Sequence, residues 1–250
     1  MVKQPSKTAF VAHFKALWND FKRISYVDPH WLVVWLFIYL TFIALDVLVP
    51  GYWGSSLLKY IGVFLCVIYA YRKHQYDSKL ILALFLTFLA DTVLVWTDMY
   101  VLGVFIFCFA QFMHFLRLTR LSKKHLGLFS VGISALTIFS AFQGNELIYS
   151  LGALYALLLI SNLVMSRQRH HESPKDFRYR CAWYGFIAFV CCDFCVGLRF
   201  IMLDGVISAV ALPLVAFMVW IFYYPSQVLL ANSSLKDKNP KQVAKTSHIS

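Results

Sequence analysis

Charge is what this chain has least of. Only 14% of its 250 residues are Asp, Glu, Lys or Arg, where soluble domains carry about 25%. Hydrophobic residues make up 60% and aromatics 18%. One soluble core cannot hide that much apolar side chain, because a chain of this size leaves much of itself at the surface. Hydrocarbon is its natural solvent. Acids are the scarcer sign, 12 against 23 Lys and Arg, for a net charge of +11. A basic balance marks nucleic-acid binding when it gathers on one face. Here the Lys and Arg fall in short segments between apolar runs, as loops do beside anionic head groups, so nucleic acid is not an expected partner.

Several catalytic signatures are also missing. The sequence holds no GxSxG, no P-loop and no HExxH, which disfavours serine-triad, nucleotide and zincin chemistry. Its six cysteines (Cys66, Cys108, Cys181, Cys191, Cys192 and Cys195) fall mostly inside apolar runs and make no disulfide framework. Cys192 and Cys195 form a CxxC, but no second ligand pair stands at metal spacing, so packing is favoured and no metal or cofactor is expected. Nothing ahead of Trp31 has the order of a cleavable signal, and the first helix is expected to serve as its own insertion signal.

What is present is a series of apolar runs: 31–49, 57–71, 80–97, 99–118, 126–142, 147–165, 182–203 and 206–231. A helix needs about 20 residues to cross the hydrocarbon, so the pattern predicts an all-α bundle of about eight transmembrane helices. The second run is the shortest and carries Lys59 near its start. Segments 50–56, 98, 143–146 and 204–205 contain no Lys or Arg. The N-terminal stretch, 72–79, 119–125, 166–181 and the tail hold almost all of them. Alternate loops are therefore basic, which predicts a multi-pass protein of the cell membrane with both termini in the cytoplasm. Ahead of the spans, Phe10, Phe14, Leu17, Trp18 and Phe21 recur at helical spacing within 7–23, the pattern of an interfacial amphipathic helix. The expected organisation is a cytoplasmic segment over 1–30, a membrane domain over 31–231 and a disordered tail over 232–250.

An ionisable side chain near the middle of a span costs about 2.5–3.5 kcal/mol on insertion scales, and is a functional hypothesis by default. The set is small: Asp46, Lys59, Asp91, His114, Asp193 and Arg199, with polar Gln111, Tyr155, Asn162, Tyr223, Tyr224 and Gln227. Asp91 and Asp193 have long apolar flanks and lie at similar depth. Two carboxyls sharing one site hold one protonated and one ionised, the state that a general acid and its partner base require. The bland alternative is a clamp, Asp193 with Arg199 or Asp91 with Lys59. Lys59 and Arg199 lie toward the outer ends of their spans, where either could hold a phosphate or reach head groups. Asp46 reads as interfacial. Gln111 and His114 share a helix face at i, i+3. Pro225, between Tyr223–Tyr224 and Gln227, is expected to free a backbone carbonyl in the last span. Phe88 to Asp91 also echoes Phe189 to Asp193, which hints at two four-helix halves.

At these residues the chain resembles the YhhN family of polytopic membrane proteins, which includes the lysoplasmalogenases. Asp91-Thr92-Val93-Leu94 fits the family's Gly-Asp-x-x-Leu, with Ala90 in place of Gly, and Gly103 and Phe107 fit the following span. Gly185 to Asp193 resembles the Ser-Asp span, with Cys192 for Ser, and Tyr223-Tyr224-Pro225-Ser226-Gln227 resembles the closing Tyr-Tyr-x-x-Gln. Lys59, Tyr155 and Met165 fit further positions, and the likeness runs from about Lys59 to Asn232. The family His falls on Gln111 and the family Tyr on His114, and Gln cannot shuttle a proton.

The resemblance implies a hydrolase that cleaves the vinyl ether of a lysolipid, with Asp91 and Asp193 catalytic. Lys59, Gln111, His114, Tyr155, Arg199, Tyr223, Tyr224 and Gln227 are the candidates for substrate binding. Expected partners are membrane lipids and a lysophospholipid-type substrate, with homo-oligomerisation open. Two other classes compete: a proton-coupled lipid or small-solute transporter, and a structural module whose site is dead.

Overall fold

The computed structural model describes residues 28–49, 51–73, 77–119, 147–203 and 212–234. Every regular element among them is an α-helix: α1 (Pro29–Leu48), α2 (Trp53–Lys73), α3 (Ser78–Trp96), α4 (Tyr100–Leu118), α5 (Leu147–Glu172), α6 (Phe177–Leu203) and α7 (Leu212–Ala231). All seven contain a stretch long and apolar enough to cross a membrane. At about 1.5 Å of rise per residue they measure about 28–40 Å, against a hydrocarbon core of about 30 Å.

Local signals set the ends. Asp28 caps α1 by accepting the amide of His30, with Pro29 at the first helical position. Asp77 caps α3 through the amide of Leu80. Between α1 and α2 the chain turns at Gly51, whose φ of 82° belongs to the left-handed region that glycine enters freely.

Seven of the eight predicted spans are helices here, with shifted ends. The predicted span over 126–142 lies outside the described residues, as do the amphipathic stretch 7–23 and the tail beyond 234. The second span is not short: α2 runs for 21 residues from Trp53, since Trp, Ser and Lys lower the apolar score without breaking a helix. The loop expected over 166–181 is mostly helix as well. An apolar run stops at the hydrocarbon boundary, whereas hydrogen bonding continues into the interface. There Gln168 and Arg169 of α5 both bond Glu172. Only 173–176 turn the chain. In that turn burial pushes the Asp176 carboxyl up, but hydrogen bonds from the Arg178 side chain and amide outweigh it and hold the carboxyl below its usual range.

The helices close on themselves. Among the described residues, each of α2 to α7 packs on the next in order, and α7 returns to α2, giving a ring of six helices. Helix α1 lies outside the ring, against α2 and α7. Outward faces are apolar and exposed, for example Phe37, Leu40, Phe64, Phe85, Phe105 and Ile160. Thr87, Gln111, His114, Asn162, Ser166 and Gln227 are buried instead. Such an inside-out distribution suits a lipid surround.

Two close contacts hold α7. A Cβ at Gly62 of α2 would stand 2.2 Å from Cε2 of Tyr224, so only glycine lets these helices approach so closely. Pro225 has no N–H for the carbonyl of Ile221 one turn back, and the hydroxyl of Tyr39, on α1, donates to that carbonyl at 3.2 Å. The freed acceptor is satisfied by the helix outside the ring.

Candidate functional site

Helical spacing brings the acids inward. On α3, Leu80, Ala83, Leu84, Thr87 and Ala90 are buried, a stripe at i, i+3, i+4, i+7 that Asp91 continues. On α6, Ala182, Phe186, Phe189 and Cys192 are buried, and Asp193 stands four residues after Phe189. Tyr155 on α5 and Tyr223 on α7 belong to the corresponding inward stripes.

Four helices supply two hydrogen-bonded pairs. The hydroxyl of Tyr223 donates to Oδ2 of Asp91, and that of Tyr155 donates to Oδ2 of Asp193 at 2.5 Å. The two carboxyls lie within electrostatic reach of each other. The Cys192 thiol lies near both acids. None of the ion pairs among the described residues includes either acid. Both carboxylate residues keep a partial exposure. Next to Asp91 in the chain, Thr92 shares a hydrogen bond of 2.6 Å with Tyr60 of α2.

Of the remaining candidates, Gln111 of α4 approaches the Tyr155 hydroxyl, and its carbonyl and amide oxygens both accept from Nδ2 of Asn162 at 2.9 Å. His114, one turn on, is fully buried with its ring edge-on to Phe186 at 5.3 Å. Four others stand apart. Lys59 pairs with Asp46 at 2.6 Å and faces the rings of Phe42 and Trp220 at 5.5 and 5.1 Å. Asp46, expected at the interface, is thus committed to a largely buried pair that Ser55 also bonds. Arg199 is exposed, about 9 Å further along α6 than Asp193 at helical rise. Tyr224 bonds the carbonyl of Trp35 at 3.4 Å, and Gln227 donates to Ser226 at 3.3 Å. Neither clamp forms: Asp91 does not pair with Lys59, nor Asp193 with Arg199.

Sequence reasoning treated Cys192 as packing, although its adjacency to Asp193 signalled a place at the site. It also missed Ser55 and Asp46 as partners of Lys59. The signal there was Ser55, one turn before Lys59 on the same face of α2.

The fold and this centre define a multi-pass helical membrane protein whose acidic pair is shielded inside a helix ring. The model of the YhhN family matches residues 54–234, and the chain belongs to that family. The matched stretch takes in all of the ring except the first residue of α2, and leaves out α1. Comparison with the curated proteins and with the solved structures gave no match.

Proposed function

We propose that the chain is an integral membrane hydrolase that cleaves the vinyl ether of a lysolipid, as the lysoplasmalogenases of its family do. The observation that carries the reading is the pair Asp91 and Asp193, each bound by a tyrosine from another helix and within electrostatic reach of its partner.

A vinyl ether is opened by protonation of its β-carbon, which leaves an oxocarbenium ion. Water adds to the cationic carbon and loses a proton, and the resulting hemiacetal collapses to a fatty aldehyde and a free glycerol hydroxyl. One water is consumed and the proton is returned. One carboxyl of the pair gives the first proton. The other, ionised, stabilises the cation and takes the proton of the incoming water, much as glycosidases use two carboxyls on a similar cation. Tyr155 and Tyr223 hold the two groups in place. Arg199 is the residue for the head-group phosphate, because the charge of Lys59 is already met by Asp46.

The test is release of aldehyde, read by mass spectrometry, from a panel of lysolipids incubated with purified protein. Asp91→Asn and Asp193→Asn should each abolish it, while a profile like wild type on size exclusion shows that the fold is kept. Wild-type rates in both variants would end the proposal. Product formed in detergent micelles also separates an enzyme from a proton-coupled carrier, which needs sealed vesicles and a gradient.

A further inference from the structure

Beside the acidic pair lies a second polar group that the chemistry above does not use. Gln111, His114 and Asn162 are each 0% exposed. Among the described residues, both ring nitrogens of His114 and Oδ1 of Asn162 have no hydrogen-bond partner, and Nε2 of Gln111 has none beyond its approach to the Tyr155 hydroxyl. A buried polar atom left unpaired costs about 1–3 kcal/mol, and hydrocarbon offers nothing to relieve it. Such atoms on two facing helices mark a place built for a ligand.

The mixture of donors and acceptors tells which ligand. Gln111 offers N–H donors and Asn162 an acceptor, while a neutral imidazole offers one of each. A phosphate only accepts, and would face the bare Oδ1 and the bare ring nitrogen. A cation would face N–H groups. An acyl chain would satisfy none of them. Water both donates and accepts, and is the usual partner of buried polar groups with this make-up.

Position gives the site a role. Gln111 and His114 lie on one face of α4, and Asn162 lies two turns from Tyr155 on one face of α5. The site therefore adjoins the tyrosine that binds Asp193. Toward the end of the bundle that carries the basic residues, the polar file continues. Ser166, buried, stands one turn past Asn162. Arg117, one turn past His114, has Nε and Nη2 unpartnered while Nη1 reaches the carbonyl of Ser233 at 3.3 Å.

We propose that Gln111, His114 and Asn162 hold ordered water inside the helix ring, and that this site supplies the water consumed at Asp91 and Asp193. The supply role rests on the hydrolase reading, whereas the water site does not.

The experiment is hydroxyl-radical labelling by X-ray radiolysis of the full chain in detergent, with oxidation mapped by mass spectrometry. Ordered internal water generates radicals beside the side chains it touches. His114 should be oxidised several-fold faster than Phe42, which is as deeply buried but belongs to the hydrophobic cluster. Preincubation in H2(18)O should place the heavy oxygen in the His114 product. Asn162→Leu should bring His114 down to the Phe42 rate and slow aldehyde release; Gln111→Met is the second variant should Asn162→Leu fail to fold. Equal rates at His114 and Phe42 in wild type overturn the water site. Lost labelling with unchanged aldehyde release overturns the supply role. Fast labelling in a protein that releases no aldehyde from any lysolipid leaves the water site standing and removes the hydrolase.

Discussion

The bond from Tyr39 to the carbonyl of Ile221 exists because Pro225 supplies no donor, and this dependence can be measured. Tyr39→Phe removes one hydroxyl and leaves the ring stacked on Tyr224, where the centroids are 5.6 Å apart and the planes 14° from parallel. The loss is therefore confined to a single hydrogen bond. Stranding a buried acceptor costs about 1–3 kcal/mol, while hydrogen bonds between transmembrane helices average about 0.6 and reach about 1.7 kcal/mol. Because Tyr39 is only partly buried, a cost of about 1 kcal/mol is expected, inside both ranges. In a Pro225→Ala background the new N–H serves Ile221 within the helix, and Tyr39→Phe should then cost only about 0–0.3 kcal/mol. Reversible unfolding in mixed micelles, titrated with dodecyl sulfate, gives all four corners of the cycle. Equal losses in the two backgrounds would show that Tyr39 does not serve the proline-freed carbonyl.

Three further outcomes follow from the packing. Gly62→Ala places a methyl into the Tyr224 ring, which Phe42 backs at 5.4 Å, and should cost about 1–3 kcal/mol; Gly152→Ala, with nothing within 4 Å, should leave the unfolding midpoint unchanged or raised. Lys59→Met strands Asp46, and should destabilise by about 2–3 kcal/mol, below the usual figure for a fully buried pair because Asp46 keeps some exposure. Asp46→Leu combined with Lys59→Met should recover most of that loss in the same unfolding assay. Asp176, its carboxyl held below the usual range by Arg178, contributes stability that is complete above the unfolded value of about 3.9 and is lost as pH falls through the lower folded value. The thermal midpoint of wild type should exceed that of Asp176→Asn near neutrality, and the gap should close below about pH 4; a gap constant across that range refutes the assignment.

The acids were legible because a mid-span carboxylate has few reasons to exist, so Asp91 and Asp193 stood out of an apolar text. Their mutual approach and the tyrosines that bind them belong to one inward stripe per helix, and spacing alone already placed Asp91 four residues, about one turn, beyond Thr87. What spacing cannot give is the rotation of one helix against another. Lys59 could have faced Asp91 or Asp46, and the choice came from how α2 packs on α1. The ends of α5 and α6 were hidden for a different reason: Arg169 and Glu172 look like loop in an apolar scale, yet they continue a helix that has left the hydrocarbon. Gln111 and His114 were noted as a pair, but the third member of their group, Asn162, sits on a helix distant in sequence, and only packing joins them.

Helix α1 is an outrigger: the ring closes without it, and the family match begins only after it ends. Among the described residues α1 meets the ring along α2 and α7. The lipid-facing residues of α1 are therefore free to vary so long as Trp35, Tyr39, Phe42 and Asp46 keep that seam shut. A helix so placed lets the chain suit membranes of different thickness or composition without repacking the ring around the acidic pair.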